Sequence, residues 1–185
     1  MKSWIEPSPI SVYGRTKLAG ERAVQAVLGD DATIVRTAWV HGQDGGNFPR
    51  TMLRLLLERD SLRVVCDQVG SPTWTDGLAG AIWTMLEREV RGLHHWTDAG
   101  VASWYDVAVA TGEIARSVGL LDREVPIEPI PTEAFPTPAA RPVFGVLDKE
   151  ATWQALGRRA PHWRTSLAAM FARLAVQETA EDGDG

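Results

Sequence analysis

The chain has 185 residues, enough to bury one good core, and its 44% hydrophobic and 23% charged residues are the balance of an ordinary soluble domain. A net charge of −5 without a long basic run argues against nucleic acid as the main partner, although local arginines can still bind a diphosphate. Cys66 is the sole cysteine, which excludes an intrachain disulfide; no signal peptide and no membrane-spanning apolar stretch is evident, so no membrane partner is expected and the cytoplasm is the expected compartment.

Residues 1–10 are expected to be extended, because Pro7 and Pro9 block a helix. Residues 11–28 carry an apolar side of Leu18, Ala19, Ala23, Val24, Ala26 and Val27, the pattern of a helix that Gly29 ends. The β-branched run 33–37 predicts a strand. Gly42, Gly45 and Gly46 follow in a loop, where a dinucleotide fingerprint would need a third glycine at the position of Phe48. Residues 47–59 are amphipathic and helical, with Pro49 tolerated in the first turn. Strands are expected at 62–66, 92–96 and 127–130, and helices at 76–89, from the Ser103 N-cap to about 118, at 148–156 and at 165–176. Cys66 sits in an apolar run and reads as a small buried hydrophobe. Residues 177–185 are acidic and glycine-bearing, the composition of a disordered tail. Strands alternating with helices predict an α/β fold, with one domain over 1–176.

Tyr13 and Lys17 share one helix face, four residues apart. A fixed ammonium beside a phenol favours the phenolate, so the pair can act as one acid–base unit on a carbonyl or alcohol. The competing reading of that spacing is a solvated helix face. The four histidines, His41, His94, His95 and His162, lack metal-ligand spacing, and no zinc site is expected. Glu87 or Glu89 could hold magnesium at a subunit contact, but nothing in the sequence selects them.

The residues around the pair, Pro9-Ile10-Ser11-Val12-Tyr13-Gly14-Arg15-Thr16-Lys17, resemble the active-site helix of extended short-chain dehydrogenases/reductases acting on nucleotide sugars. Within that group, Val35-Arg36-Thr37-Ala38-Trp39-Val40, Gly46-Asn47-Phe48, Val65-Cys66-Asp67-Gln68-Val69-Gly70-Ser71-Pro72-Thr73, Trp104-Tyr105-Asp106 and Pro136-Thr137-Pro138-Ala139-Ala140-Arg141-Pro142 resemble the dTDP-4-dehydrorhamnose reductase family in colinear order. The resemblance implies the carboxy-terminal part of a Rossmann-like fold with its sugar-nucleotide-binding subdomain. It also implies NADPH- or NADH-dependent reduction of the 4-keto group of dTDP-6-deoxy-L-lyxo-4-hexulose to dTDP-L-rhamnose.

By the same resemblance, Tyr13 and Lys17 are catalytic and, with Arg36 and Thr37, hold the cofactor. Trp39, Asn47, Phe48, Gln68, Ser71, Pro72, Thr73 and Arg141 shape the substrate site. Each has a plainer role beside it: Trp39 in the core, Asn47 as an N-cap, 68–73 as a structural turn, Arg141 on the surface. Gly145 stands about where the family often carries a serine. The glycine-rich pyrophosphate turn that opens such enzymes has no counterpart in this sequence, and Ser8 and Ser11 lie too close to Tyr13 to be the family's catalytic Ser or Thr. The isolated chain is therefore expected to reduce substrate weakly or not at all. A non-catalytic binding or regulatory subunit, a homodimer, or half of a split enzyme with a separate amino-terminal half are the further expectations.

Overall fold

Pro9 holds the chain extended up to Ser11, whose Oγ accepts from the Gly14 amide at 3.1 Å and opens the first helix, α1 (Val12–Leu28). The computed structural model describes residues 6–137 and 141–183, with side chains through Gln177. α1 buries none of its residues; Val12, Val24, Val27 and Leu28 face outward. A bidentate ion pair from Arg36 to Glu21, at 2.8 and 2.7 Å, ties it to the strand that follows.

That strand, β1 (Thr33–Arg36), runs parallel to β6 (Gly92–His95) in the register Thr33↔Gly92 to Arg36↔His95. A second parallel pair joins β3 (Leu62–Val65) to β8 (Ile127–Ile130). Parallel pairs need crossovers, and helices supply them: α2 (Phe48–Glu58), α3 (Thr75–Glu87) and α4 (Trp104–Ser117). The chain closes with α5 (Glu150–Leu156) and α6 (Trp163–Gly183). The long elements follow the hydrophobic periodicity of the sequence, and the expected α/β fold is the one observed.

Four two-residue strands went unpredicted. β2 (Val40–His41) pairs parallel with β5 (Thr73–Trp74), and β4 (Val69–Gly70) pairs antiparallel with β7 (Ala102–Ser103). Two residues leave no alternation to detect; long-range partners alone create them. The last helix, expected to stop at 176 before a disordered tail, instead stays helical through Gly183. Gln177, Glu178, Ala180 and Glu181 are good helix formers, and no proline interrupts the run. Cys66, expected in the core, is only half-buried. Pro138, Ala139 and Ala140 of the resembling segment, and residues 184–185 of the tail, lie outside the described residues.

Two apolar clusters hold the elements. The larger joins Leu53 and Leu56 of α2, Val107, Ala108, Ile114 and Ala115 of α4, and Leu167, Met170 and Phe171 of α6 against Leu62 and Val64 of β3. Each large side chain buried there contributes about 1.5–3 kcal/mol of transfer free energy. The smaller packs Ala81 and Met85 of α3 on Trp96 and Leu156. Among the described residues no helix is long and apolar enough to cross a membrane.

Candidate functional site

A cavity of about 690 Å³ opens between α2, β3, β8 and the start of α4. Phe48, Met52, Leu55, Trp104, Ile130 and Phe135 make its apolar wall, and three arginines, Arg59, Arg63 and Arg141, line it as well. Asn47 caps α2 by accepting from the Arg50 amide at 3.2 Å, while its Nδ2 donates to the Gly42 carbonyl at 2.7 Å. The glycine loop 42–46 is thereby fixed to the helix that carries Phe48. Asn47 does not itself line the cavity, so its capping role is the one the geometry supports.

Trp104 lies at the inner wall. Its ring stacks on Trp39 with centroids 3.6 Å apart and planes 10° apart, and Phe48 tilts against it at 4.7 Å. Trp39 has φ +51°, rare for a bulky side chain. Gly70 makes room for it: a Cβ there would come within 2.6 Å of the indole. Behind the rings, Trp104 Nε1 donates to Gln68 Oε1 at 3.2 Å and Gln68 Nε2 donates to Thr132 Oγ1 at 3.0 Å. The Thr132 hydroxyl donates to Asp67 at 2.6 Å, and the Thr132 amide adds a bond to each carboxylate oxygen at 3.0 Å. Those bonds, the hydroxyl's first, hold the Asp67 carboxyl below its ordinary range.

Ser71, Pro72 and Thr73 are wholly buried and do not meet the cavity. Ser71 Oγ donates to the Gly100 carbonyl at 2.8 Å and Thr73 Oγ1 to the Ala38 carbonyl at 2.6 Å. The expected substrate contact gives way to a turn held from within. Beneath that turn sit two buried charges. Lys149 Nζ lies 3.4 Å from Ser71 Oγ and 3.3 Å from the Asp98 carbonyl oxygen. Burial pushes the Asp98 carboxyl up to about 6, opposed by Ser166, the Trp74 amide and Lys149. Burial likewise lowers Lys149, against the pull of Asp98.

Tyr13 and Lys17 are not among the lining residues of the cavity and are exposed on α1, with Lys17 Nζ 5.4 Å from the Tyr13 ring centroid. Arg36 is committed to Glu21, which raises its already high pKa, and Thr37 shares a 3.2 Å hydrogen bond with Thr73. Of the expected substrate residues, Phe48, Gln68 and Arg141 meet at the cavity, and Trp39 supports it through Trp104. Arg59, Arg63 and Trp104 were missed as site residues. The two arginines lie four apart across the α2–β3 junction, and only the turn between helix and strand brings them to one rim. Glu87, the last residue of α3, and Glu89, two residues beyond it, are exposed, and no group of three His, Cys, Asp or Glu among the described residues is placed to hold a metal ion.

Residues 3–176 match the RmlD substrate binding domain. The chain belongs to that family. It is 39% identical over 179 residues to the dTDP-4-dehydrorhamnose reductase of Escherichia coli K12, covering 92% of this chain and 60% of that protein. It is 42% identical over 172 residues to the dTDP-4-keto-6-deoxy-D-glucose reductase of Streptomyces niveus, covering 93% and 58%. Among solved structures, the Bacillus anthracis dTDP-4-dehydrorhamnose reductase in complex with NADP superposes with a TM-score of 0.84 at 33% identity, over 93% of this chain and 59% of that one. A Clostridium acetobutylicum dTDP-4-dehydrorhamnose reductase gives 0.83 at 37% identity, over 94% and 59%. This RmlD-family chain thus spans about three-fifths of the length of these relatives.

Proposed function

We propose that this chain is the sugar-nucleotide-binding part of a dTDP-4-dehydrorhamnose reductase, which reduces the 4-keto group of dTDP-6-deoxy-L-lyxo-4-hexulose to dTDP-L-rhamnose. The observation that carries this is the cavity, with an aromatic wall on one side and Arg59, Arg63 and Arg141 around it. Aromatic faces suit a base or a pyranose ring. Guanidinium forks suit a diphosphate, which they bind bidentately. The names of the relatives support a dTDP-linked 4-keto sugar, and two of those names differ in the sugar.

The residues present fit one end of a nicotinamide dinucleotide. Tyr13 and Lys17 lie close together and solvent-accessible on α1. NADPH or NADH, when bound, supplies the hydride. Tyr13 would give its phenolic proton to the substrate oxygen, and Lys17 would hold the nicotinamide ribose through its hydroxyls and offset the charge left on Tyr13. No glycine-rich strand–turn–helix suited to a pyrophosphate occurs among the described residues. Placement of the cofactor calls for a dinucleotide-binding segment such as the longer relatives have room for, in the same chain or in a separate one. The open face of α1 and the edge of β1 away from β6 suit such a segment. Because correct placement supplies much of the rate, these residues alone are expected to bind sugar nucleotide and turn it over weakly or not at all.

A non-catalytic sugar-nucleotide-binding subunit is the second reading, favoured by the 71% exposure of Tyr13 on a helix that buries nothing. Calorimetric titration of the chain with dTDP-rhamnose, with NADPH in parallel, tests the assignment. Binding of the sugar nucleotide alone is the expected result. Binding of neither ligand overturns the assignment. Normal NADPH turnover by these residues alone overturns the need for a further segment.

A further inference from the structure

We propose that Gln68 is a positioning residue, which fixes the Trp104 indole at the wall of the cavity against which the sugar packs and, through it, Trp39 stacked on that indole. The inference rests on the reading of that cavity as a sugar-nucleotide site. The sequence points to Gln68 as a direct substrate contact; the geometry gives both ends of its amide to the protein. Gln68 is 7% exposed, so an unpaired amide end there would be costly.

The direction of every bond in the network follows from one charge. A carboxylate only accepts, so Asp67 takes the single hydroxyl proton of Thr132 at 2.6 Å. That leaves a lone pair on Thr132 Oγ1 facing Gln68, which must answer with Nε2–H, at 3.0 Å. The opposite end of the amide, Oε1, then faces Trp104 Nε1, a group that can only donate, at 3.2 Å. The reversed amide would set two donors against each other at Trp104. The amide therefore has one satisfied orientation, and it fixes the plane of the indole.

The consequence passes to Trp39 by stacking, with centroids 3.6 Å apart. Trp39 holds a left-handed backbone, φ +51°, which persists only where the surroundings over-determine it. Its carbonyl accepts from the Thr73 amide at 3.1 Å, Gly70 leaves the space for its ring, and Trp104 covers one face. Thr132 also starts the 3-10 turn Thr132–Ala134, just before Phe135, Thr137 and Arg141 of the cavity rim. One buried glutamine thus joins the rim of the cavity to its indole wall.

The test replaces Gln68 by methionine, of similar length and without the hydrogen bonds. The first readout needs no ligand: the exciton couplet that two stacked indoles give in far-ultraviolet circular dichroism. Q68M is expected to lose the couplet while keeping its helical signal and a cooperative melt. The second readout compares dTDP-rhamnose with dTDP by calorimetry. Affinity for the sugar nucleotide should fall about tenfold and that for dTDP change less than about twofold, since it is the sugar that packs on the positioned Trp104 ring. Thr132→Val breaks the same network from the half-exposed rim and carries the test should Q68M fail to fold. A couplet retained in the variants overturns the proposal, as do equal losses of affinity for both ligands, which would mark a direct nucleotide contact. A wild-type chain that binds neither ligand, with the couplet lost in Q68M, leaves the positioning role standing and overturns the sugar-nucleotide reading.

Discussion

Asp98 is fully buried and Lys149 nearly so, yet they do not form a close ion pair; Lys149 reaches the Asp98 backbone carbonyl and Ser71 instead. Burial therefore governs the carboxyl, whose pKa rises to about 6. A group whose folded pKa lies above its unfolded value gives its full stability below the unfolded value and loses it as pH rises through the folded one. From about pH 4 to pH 7 this group should remove about 2 kcal/mol from the unfolding free energy. Urea unfolding of the wild type and Asp98→Asn at both pH values measures it: the change in unfolding free energy between the two pH values should differ between the proteins by that amount, and equal changes would refute the burial argument. Gly70 offers a second test at the same scale. A methyl group there meets the Trp39 ring, which cannot retreat without leaving Trp104. Gly70→Ala should destabilise by about 1–3 kcal/mol, read from the thermal midpoint, while a neutral result would mean that the indole pair moves freely.

The elements divide by how local their causes are. α4 was legible because its start is written in a few residues. Ser103 Oγ accepts from the Asp106 amide at 3.1 Å, and Asp106 Oδ2 in turn accepts from the Ser103 amide at 2.7 Å. Removing that cap with Ser103→Ala should cost about 1 kcal/mol, and hydrogen exchange should quicken first in the turn carrying Trp104. Uniform quickening across the chain would mean that the cap acts on global stability alone. β2, β4, β5 and β7 were illegible for the opposite reason, since each exists only because a distant backbone offers it hydrogen bonds. The site shows the same split. Phe48, Gln68 and Arg141 stood out within segments of recognisable character. Trp104 was visible as part of such a segment, but its stacking on Trp39 depends on two chain turns meeting. Ser71 and Thr73 looked like loop polars, and their carbonyl partners at Gly100 and Ala38 lie elsewhere in the chain.

At the scale of the whole molecule, the charge of −5 and the cationic rim of the cavity pull a dianionic diphosphate in opposite directions. The net charge acts over the molecular diameter and is screened beyond about 8 Å at physiological ionic strength. The three arginines act at contact distance, where screening is weaker, so the local term should win. Arg63 is partly offset, because Glu128 of β8 lies 3.6 Å from it across the strand pair. Both side chains are more than half exposed, so the pair itself adds little to stability, and Glu128 can be neutralised without harm to the fold. Glu128→Gln should then tighten dTDP binding by about two- to fivefold, while Arg141→Ala should weaken it about tenfold or more. Raising the salt should shrink the Glu128→Gln gain, since the lost repulsion is between exposed charges, and should shrink the Arg141 effect less. Calorimetry at two salt concentrations separates the terms. Unchanged affinity in both variants would mean that the diphosphate does not lie along this rim, and the cavity would then have to hold a ligand without that charge.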